Sequence, residues 1–319
     1  MAALSHNRSK EEYQRISVQL SASICGKKRE GREERKGATL APVIKNQHEN
    51  CYISDQYYTK CITQTEDTMD VVKKSFEDQV CTITLNRPDK KNAMDSELLL
   101  ALYDALLEAD KQHPAVIVIR GAGKAFCAGG DLVEFNESDN PGNRIDTMAD
   151  ALHKSILLIR NTTAIVIAVV EGVAVGAGLG LSLACDLTIA GANAIMNMGY
   201  RRIGLTPDGG GSIFVPRLIG AKRFNELYLL SRNVTMAEAK DLGLVNLVCD
   251  EDQVDQNLAA MIKDLRALPM ETIKRFKDLV NNSLFFGLDT HLDREKLYVS
   301  ELAAAPLFKE RLAAFFRKR

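Results

Sequence analysis

Very little in this chain is in excess. Its 319 residues carry 41 lysines and arginines against 42 aspartates and glutamates, a net charge of −1. Without a surplus of either sign, electrostatics give no reason to expect a nucleic acid or a membrane surface as partner. Long apolar runs are missing too: the longest, residues 164–170, is far too short to span a bilayer. The seven cysteines (Cys25, Cys51, Cys61, Cys81, Cys127, Cys185, Cys249) are scattered, odd in number and form no C-x-x-C pair. The five histidines are equally dispersed. This spacing argues against a zinc site or a disulfide framework and for a reducing compartment, so the expectation is a cytoplasmic protein without a metal. No internal repeat of fixed period is visible. What remains, 46% hydrophobic and 26% charged, describes a globular protein with one large core or two modest ones.

The first sixty-odd residues lack sustained periodicity. "GKKREGREERKG" (residues 26–37) is a mixed-charge run with polar flanks, apart from a short helix expected around residues 10–20. Such a segment buries too little apolar surface to offset chain entropy, so residues 1–68 are expected to be a disordered extension. A mitochondrial presequence would be rich in arginine and poor in acids, but Glu11, Glu12, Glu30, Glu33 and Glu34 intervene. A cryptic organellar leader stays an alternative.

Regular structure is expected from Met69 onward. "MDVVKKSF" and "VCTITLN" read as two strands paired across Glu77-Asp78. "SELLLALYDALLEADK" is a helix over Ser96–Lys111, capped by Asp95 or Ser96. "AVIVIRG" (115–121) is continuously apolar, the mark of a strand buried on both faces. Helix (144–161), strand (164–170), helix (177–184) and strand (187–190) follow in turn, which makes the class α/β with largely parallel pairing. Residues 69–250 form the expected core. Residues 251–319 read as helices only, over 251–268, 271–281, 291–304 and 306–317.

Three glycine-bearing stretches sit where strands hand over to helices. "GAGKAFCAGGDL" (121–132) is not a P-loop, because Gly123-Lys124 is followed by Ala125 instead of Ser or Thr. "EGVAVGAGLGLSLACD" (171–186) lacks the G-x-G-x-x-G spacing of a dinucleotide fingerprint. Small-residue turns at helix starts leave backbone N–H groups unpaired and allow a ligand close approach. Two of them facing one crevice can hold a single oxygen between two donors, each worth on the order of 3 kcal/mol in a transition state. Packing alone can also require glycine there. The third stretch, "IGLTPDGGGS" (203–212), sets Asp208 in ordinary turn chemistry. The residue is either a turn former or a base aimed at something.

Taken together, "LNRPDKKNAMD" (85–95), "GAGKAFCAGGDL", "EGVAVGAGLGLSLACDLTIA", "GLTPDGGGSIFVPRLIG" (204–220) and "NVTMAEAKDLGLVN" (233–246) resemble the crotonase (enoyl-CoA hydratase/isomerase) superfamily. The resemblance runs from about Met69 to Arg319. It implies a spiral of repeated ββα turns with a C-terminal helical region that mediates trimerisation, assembled as a homotrimer or a dimer of trimers. It also implies an acyl-CoA thioester as substrate, with coenzyme A part of that substrate and no separate cofactor. The family's two oxyanion N–H groups correspond to Ala128 and Ala177. Lys90, Lys91 and Ala93 fall in the segment around the CoA adenine. Gly129, Gly130, Asp131, Gly176 and Tyr200 complete the implied substrate-binding set.

The departures from the family pattern decide the activity that is expected. Hydratases of the family carry two glutamates that position and deprotonate water; their places here are Gly180 and Tyr200. Without carboxylates at hydrogen-bond reach of a water, simple hydration is disfavoured. A lone acid in "PDGG"-like turns serves several isomerases of the superfamily as a proton shuttle, and Asp208 occupies that place. The implied activity is an enoyl-CoA isomerase with catalytic Asp208, Ala128 and Ala177. Two alternatives stay open: a hydratase or lyase using other acids, such as Glu134 with Asp208, and a non-catalytic acyl-CoA-binding protein. Among other candidates, Asp131 reads as a helix cap, and Glu134 and Glu137 as a solvated face of a pocket flap. Asp186 reads as a turn anchor, and Cys127 as a small buried hydrophobe without a histidine near it in sequence.

Overall fold

A hairpin begins the described chain. The structure, a computed structural model, describes residues 70–317. The extension expected over 1–68, with its short helix, its leader alternative and Cys25, Cys51 and Cys61, lies outside the described residues. Strands β1 (Val72–Glu77) and β2 (Val80–Leu85) pair antiparallel with Glu77 opposite Val80. The turn residues are therefore Asp78 and Gln79, one position later than expected, and both take positive φ, 48° and 63°. That is the backbone of a tight hairpin turn matched to strand twist. The register puts Cys81, Ile83 and Leu85 of β2 into the core, while β1 is a largely exposed edge. Lysines on that edge discourage further strand pairing.

Helix α1 (Ser96–Lys111) is capped by Asp95, whose side chain accepts from the Leu98 N–H. Its buried stripe, Leu98, Leu102, Ala105, Leu106 and Ala109, has the spacing of a core-facing helix. The chain then enters β3 (Val116–Gly121), parallel to β2. Parallel strands β4 (Ile165–Val170), β6 (Leu187–Gly191) and β9 (Leu247–Cys249) extend the sheet in the order β1-β2-β3-β4-β6-β9. Alternate residues of β3 and β4 serve different cores. Ile117 and Val166 face the larger one, and Val116, Val118, Ile165, Ile167 and Val169 face a smaller one. The latter is covered by α8 (Val254–Leu265) through Val254 and Leu258. Burial on both faces is why these strands are continuously apolar.

A second sheet, in the order β5-β7-β8, was not legible in the sequence. Its strands are β5 (Val173–Val175), β7 (Ile195–Asn197) and β8 (Val234–Thr235). The chain passes from β4 to β5 through Gly172, at φ 62°. Strands β4 and β5 followed by α4 (Ala177–Ala184) make one ββα turn. Strands β6 and β7 followed by α5 (Gly211–Ile219) make the next. Each turn adds a strand to both sheets, so successive turns stack as a spiral.

Between β3 and β4 run α2 (Leu132–Glu137) and α3 (Pro141–Asn161). Helix α3 begins three residues before its expected start, because Asn140 caps it through the Asn143 N–H and Pro141 occupies the first turn. After α5 come α6 (Ala221–Leu230) and α7 (Met236–Asp241). The C-terminal helices after α8 are α9 (Met270–Leu284), α10 (Leu288–Ala304) and α11 (Pro306–Arg317), with α10 lying along α3. Asp186 anchors its turn as expected, and more: it accepts from the Val166 N–H and pairs with both Arg160 and Lys277. Among the described residues no helix is long and apolar enough to cross a membrane.

Candidate active site

Both expected glycine turns border one cavity of about 750 Å³, a volume suited to a small-molecule ligand. They pack against each other tightly enough to dictate glycine. A Cβ on Gly129 would lie 2.8 Å from the Val175 carbonyl oxygen and 3.8 Å from the Ala177 nitrogen.

All of the expected site residues border this cavity: Lys90, Lys91, Ala93, Ala128, Gly129, Gly130, Asp131, Gly176, Ala177, Tyr200 and Asp208. Their hydrogen bonds assign them unequal parts. Ala177 is the first residue of α4, so its N–H has no acceptor within the helix, and the helix dipole adds to its positive character. The Ala128 N–H instead donates to the Lys91 carbonyl at 3.0 Å. An oxygen arriving there has to share or replace that acceptor. Asp131 caps α2 through the Val133 N–H and pairs with Arg87 at 2.9 Å, the structural role its position indicated. Tyr200 is buried and its hydroxyl donates to the main-chain carbonyl of Asp208 at 2.8 Å.

Asp208 lies in the cavity wall, 6% exposed, on a turn that packs against the start of α4. Its Oδ1 is 2.7 Å from Nε2 of His153, on α3. Its Oδ2 takes no hydrogen bond from any described residue. The carboxylate is therefore held by one oxygen and available through the other. Behind it stands Glu295 of α10, 4% exposed, which accepts from the Gly210 N–H at 2.7 Å, the Ser212 N–H at 2.8 Å and the Ser212 hydroxyl. Burial disfavours the His153 imidazolium, but the charge and hydrogen bond of Asp208, helped by Glu295, outweigh it and raise its pKa. Burial, reinforced by the Asp208 charge, pushes Glu295 up to about 7.

Ligand atoms of His153, Asp208 and Glu295 lie within 4.8 Å of one another, close enough to surround an ion. Glu295, however, already satisfies three donors, and His153 is committed to Asp208. Asp208 and His153 bond to each other, while Glu295 bonds to the α5 turn beside them.

His153 and Glu295 are not among the residues that the sequence singles out, though both carry a signal. His153 follows Ala149 by four positions within the buried stripe of α3, and Glu295 sits between buried Leu292 and Val299 on α10. A titratable residue on an apolar stripe needs a buried partner. Phe315 and Phe316 of α11, with Val299 of α10, also line the cavity.

Three other expectations are settled by geometry. Glu134 is not in the cavity wall: it accepts from the Ser96 N–H and hydroxyl and pairs with Arg144. Cys127 is fully buried and its thiol is pushed up to about 12 by burial, which leaves no thiolate nucleophile at neutral pH. Gly180 is closed off: a Cβ there would stand 2.1 Å from the Gly209 carbonyl oxygen.

Residues 75–319 match the model of a family described as enoyl-CoA hydratase/isomerase. A 1,2-epoxyphenylacetyl-CoA isomerase of Escherichia coli (strain K12) is 29% identical over 256 residues, covering 79% of this chain and 97% of that one. A 4-chlorobenzoyl coenzyme A dehalogenase of an Arthrobacter species is 33% identical over 247 residues, covering 76% and 88%. The crystal structure of an enoyl-CoA hydratase from Bacillus halodurans superposes with a TM-score of 0.72 at 26% identity, over 76% of this chain and 99% of that one.

Proposed function

Because the chain belongs to the enoyl-CoA hydratase/isomerase family, we propose that it is an enoyl-CoA isomerase in which Asp208 carries the proton. One observation bears most of the weight. Asp208 is a cavity carboxylate with a free oxygen, while the two places where the family's hydratases hold their glutamates are a sterically sealed glycine and a tyrosine.

The thioester oxygen sits at the Ala177 N–H, with Ala128 as the second donor once its bond to Lys91 yields. In a 3-enoyl-CoA, Asp208 Oδ2 takes a proton from the carbon beside the thioester. The C–H electron pair becomes an enolate whose charge rests on the thioester oxygen, in the field of the α4 N-terminus. The same proton is then delivered to the far alkene carbon as the enolate electrons close a new double bond next to the thioester. Nothing is added or lost, and no activated water is required. Coenzyme A enters with the substrate, so the reading needs no separate cofactor. Assembly as a homotrimer or a dimer of trimers is part of it, supported by the apolar side chains that α9 leaves exposed, Phe276 and Leu279 among them. A cytoplasmic location also belongs to this reading.

The hydratase alternative through Glu134 finds no support, since that carboxylate is taken up by the Ser96 N–H and hydroxyl. A panel of 3-enoyl-CoA thioesters tests the reading, followed by ultraviolet absorbance and mass spectrometry. Conversion to the conjugated thioester at constant mass is expected. A gain of water would mean hydration, and no change would mean a binder. Asp208→Asn should lower turnover by about 10² or more while leaving CoA-ester affinity nearly unchanged. Wild-type rates in that variant would return Asp208 to the role of a turn former.

A further inference from the structure

The turn that carries Asp208 is held from outside. Residues 208–210 lead into α5, whose N-cap is Gly210, a residue with no side chain to cap the helix. Gly209 and Gly210 both take positive φ, 62° and 79°, in a stretch where glycine leaves the backbone least restrained. The free N–H groups at the start of α5 are satisfied by Glu295, which arrives from α10 and spans Gly210 with one oxygen and Ser212 with the other. On its far side the Ser212 hydroxyl also meets His291 at 2.8 Å. A carboxylate that is buried, three-fold hydrogen-bonded and within 4.8 Å of both Asp208 and His153 goes beyond what helix capping alone demands.

We propose that Glu295 is a positioning residue for Asp208: by clamping Gly210 and Ser212 it fixes the turn so that Asp208 keeps Oδ1 on His153 and Oδ2 toward the substrate. The clamp makes the base depend on a helix far away in sequence. It also couples the base to a second charge. Asp208 and Glu295 repel each other, and His153 stands in the field of both, with Lys296 opposing it. His291 borders the clamp near Arg217 and Arg294. Burial and the Asp208 charge raise Glu295 to about 7, so the clamp gains its full acceptor charge only as pH rises through that range, and activity should rise with it.

The kinetic consequences rest on the isomerase reading, whereas the clamp itself can be observed without turnover. In the full-length wild-type protein, hydrogen exchange should find the Gly210 and Ser212 amides among the protected ones. Glu295→Gln keeps the shape but presents one oxygen and an NH2 group, so one of the two amides loses its acceptor. Exchange at that amide should accelerate, and a crystal structure of the variant should show the turn at 208–210 displaced. With a 3-enoyl-CoA substrate, kcat should fall about tenfold or more through misalignment, KM should stay within about twofold, and the rise near neutral pH should disappear. Unprotected amides in the wild type would overturn the proposal, even if the variant cannot be purified. So would a Glu295→Gln protein with an unmoved turn, or one with a wild-type kcat and pH profile. If the wild type exchanges as expected yet isomerises nothing, the isomerase reading fails and the clamp stands.

Discussion

Gly180 shapes the chemistry by what it excludes. Its missing Cβ is the space taken by the Gly209 carbonyl, so the turn bearing Asp208 lies directly on α4. A glutamate at 180 cannot enter without moving Gly209, and moving Gly209 moves the base. At position 200 the same conflict takes another form. The Tyr200 hydroxyl supports the Asp208 carbonyl, and a glutamate in its place would remove that donor. It would also bring a further carboxylate toward Asp208 and Glu295. Close acids raise one another's pKa, and burial adds to the effect. The double variant Gly180→Glu/Tyr200→Glu should therefore gain no more than trace hydration, read as added water mass on crotonyl-CoA, and should lose isomerase activity. Efficient hydration would show that the cavity is already shaped for an activated water and that the proton-shuttle reading is wrong.

At the scale of elements, the end of the parallel sheet is tied to α9 by buried charge. Lys277 donates to the Ile159 and Ala164 carbonyls at 3.0 and 2.8 Å and to Asp186 at 2.7 Å. Arg160 reaches Asp186 as well and lies over the Phe285 ring. Here one anion serves two buried cations. Asp186→Asn should thus cost more than Lys277→Met, because the first strands both cations while the second leaves the Arg160–Asp186 pair intact. About 3–5 kcal/mol is expected for the first in urea unfolding, and clearly less for the second. The reverse order would mean that the backbone carbonyls, not the aspartate, hold Lys277.

Elements of this kind differ in how far they can be read from sequence. Helices α4 and α11 begin and end where their patterns place them, because a glycine turn and Pro306 mark their starts. Strands β5, β7 and β8 are two or three residues long, too short for any period to register. The site divides in the same way. Asp208 and the two alanines lie in stretches whose local composition announces a turn. His153 and Glu295 gain their meaning only from partners brought together by tertiary packing, with His153 and Asp208 55 positions apart.

For the whole molecule, the open matter is what the first 68 residues add to a body that closes its own cores. The larger core is completed by α10 and α11 through Leu292, Val299, Phe308 and Leu312, and the smaller by α8. Nothing in either core calls for an added apolar strand. The edge strand β1 is exposed and carries Lys73, Lys74 and Glu77, which makes it a poor template for further pairing. Extension residues could be missed only if they docked on the surface or bridged subunits. Deleting residues 1–68 should therefore leave the melting temperature, the oligomeric state and the turnover of 3-enoyl-CoA unchanged. In a body of this size about 1 kcal/mol of lost contact shifts the melting temperature by roughly 2–4 °C, so differential scanning calorimetry is sensitive enough to decide. A drop of several degrees, or dissociation on gel filtration, would show that the extension packs on the folded body or across an interface between copies.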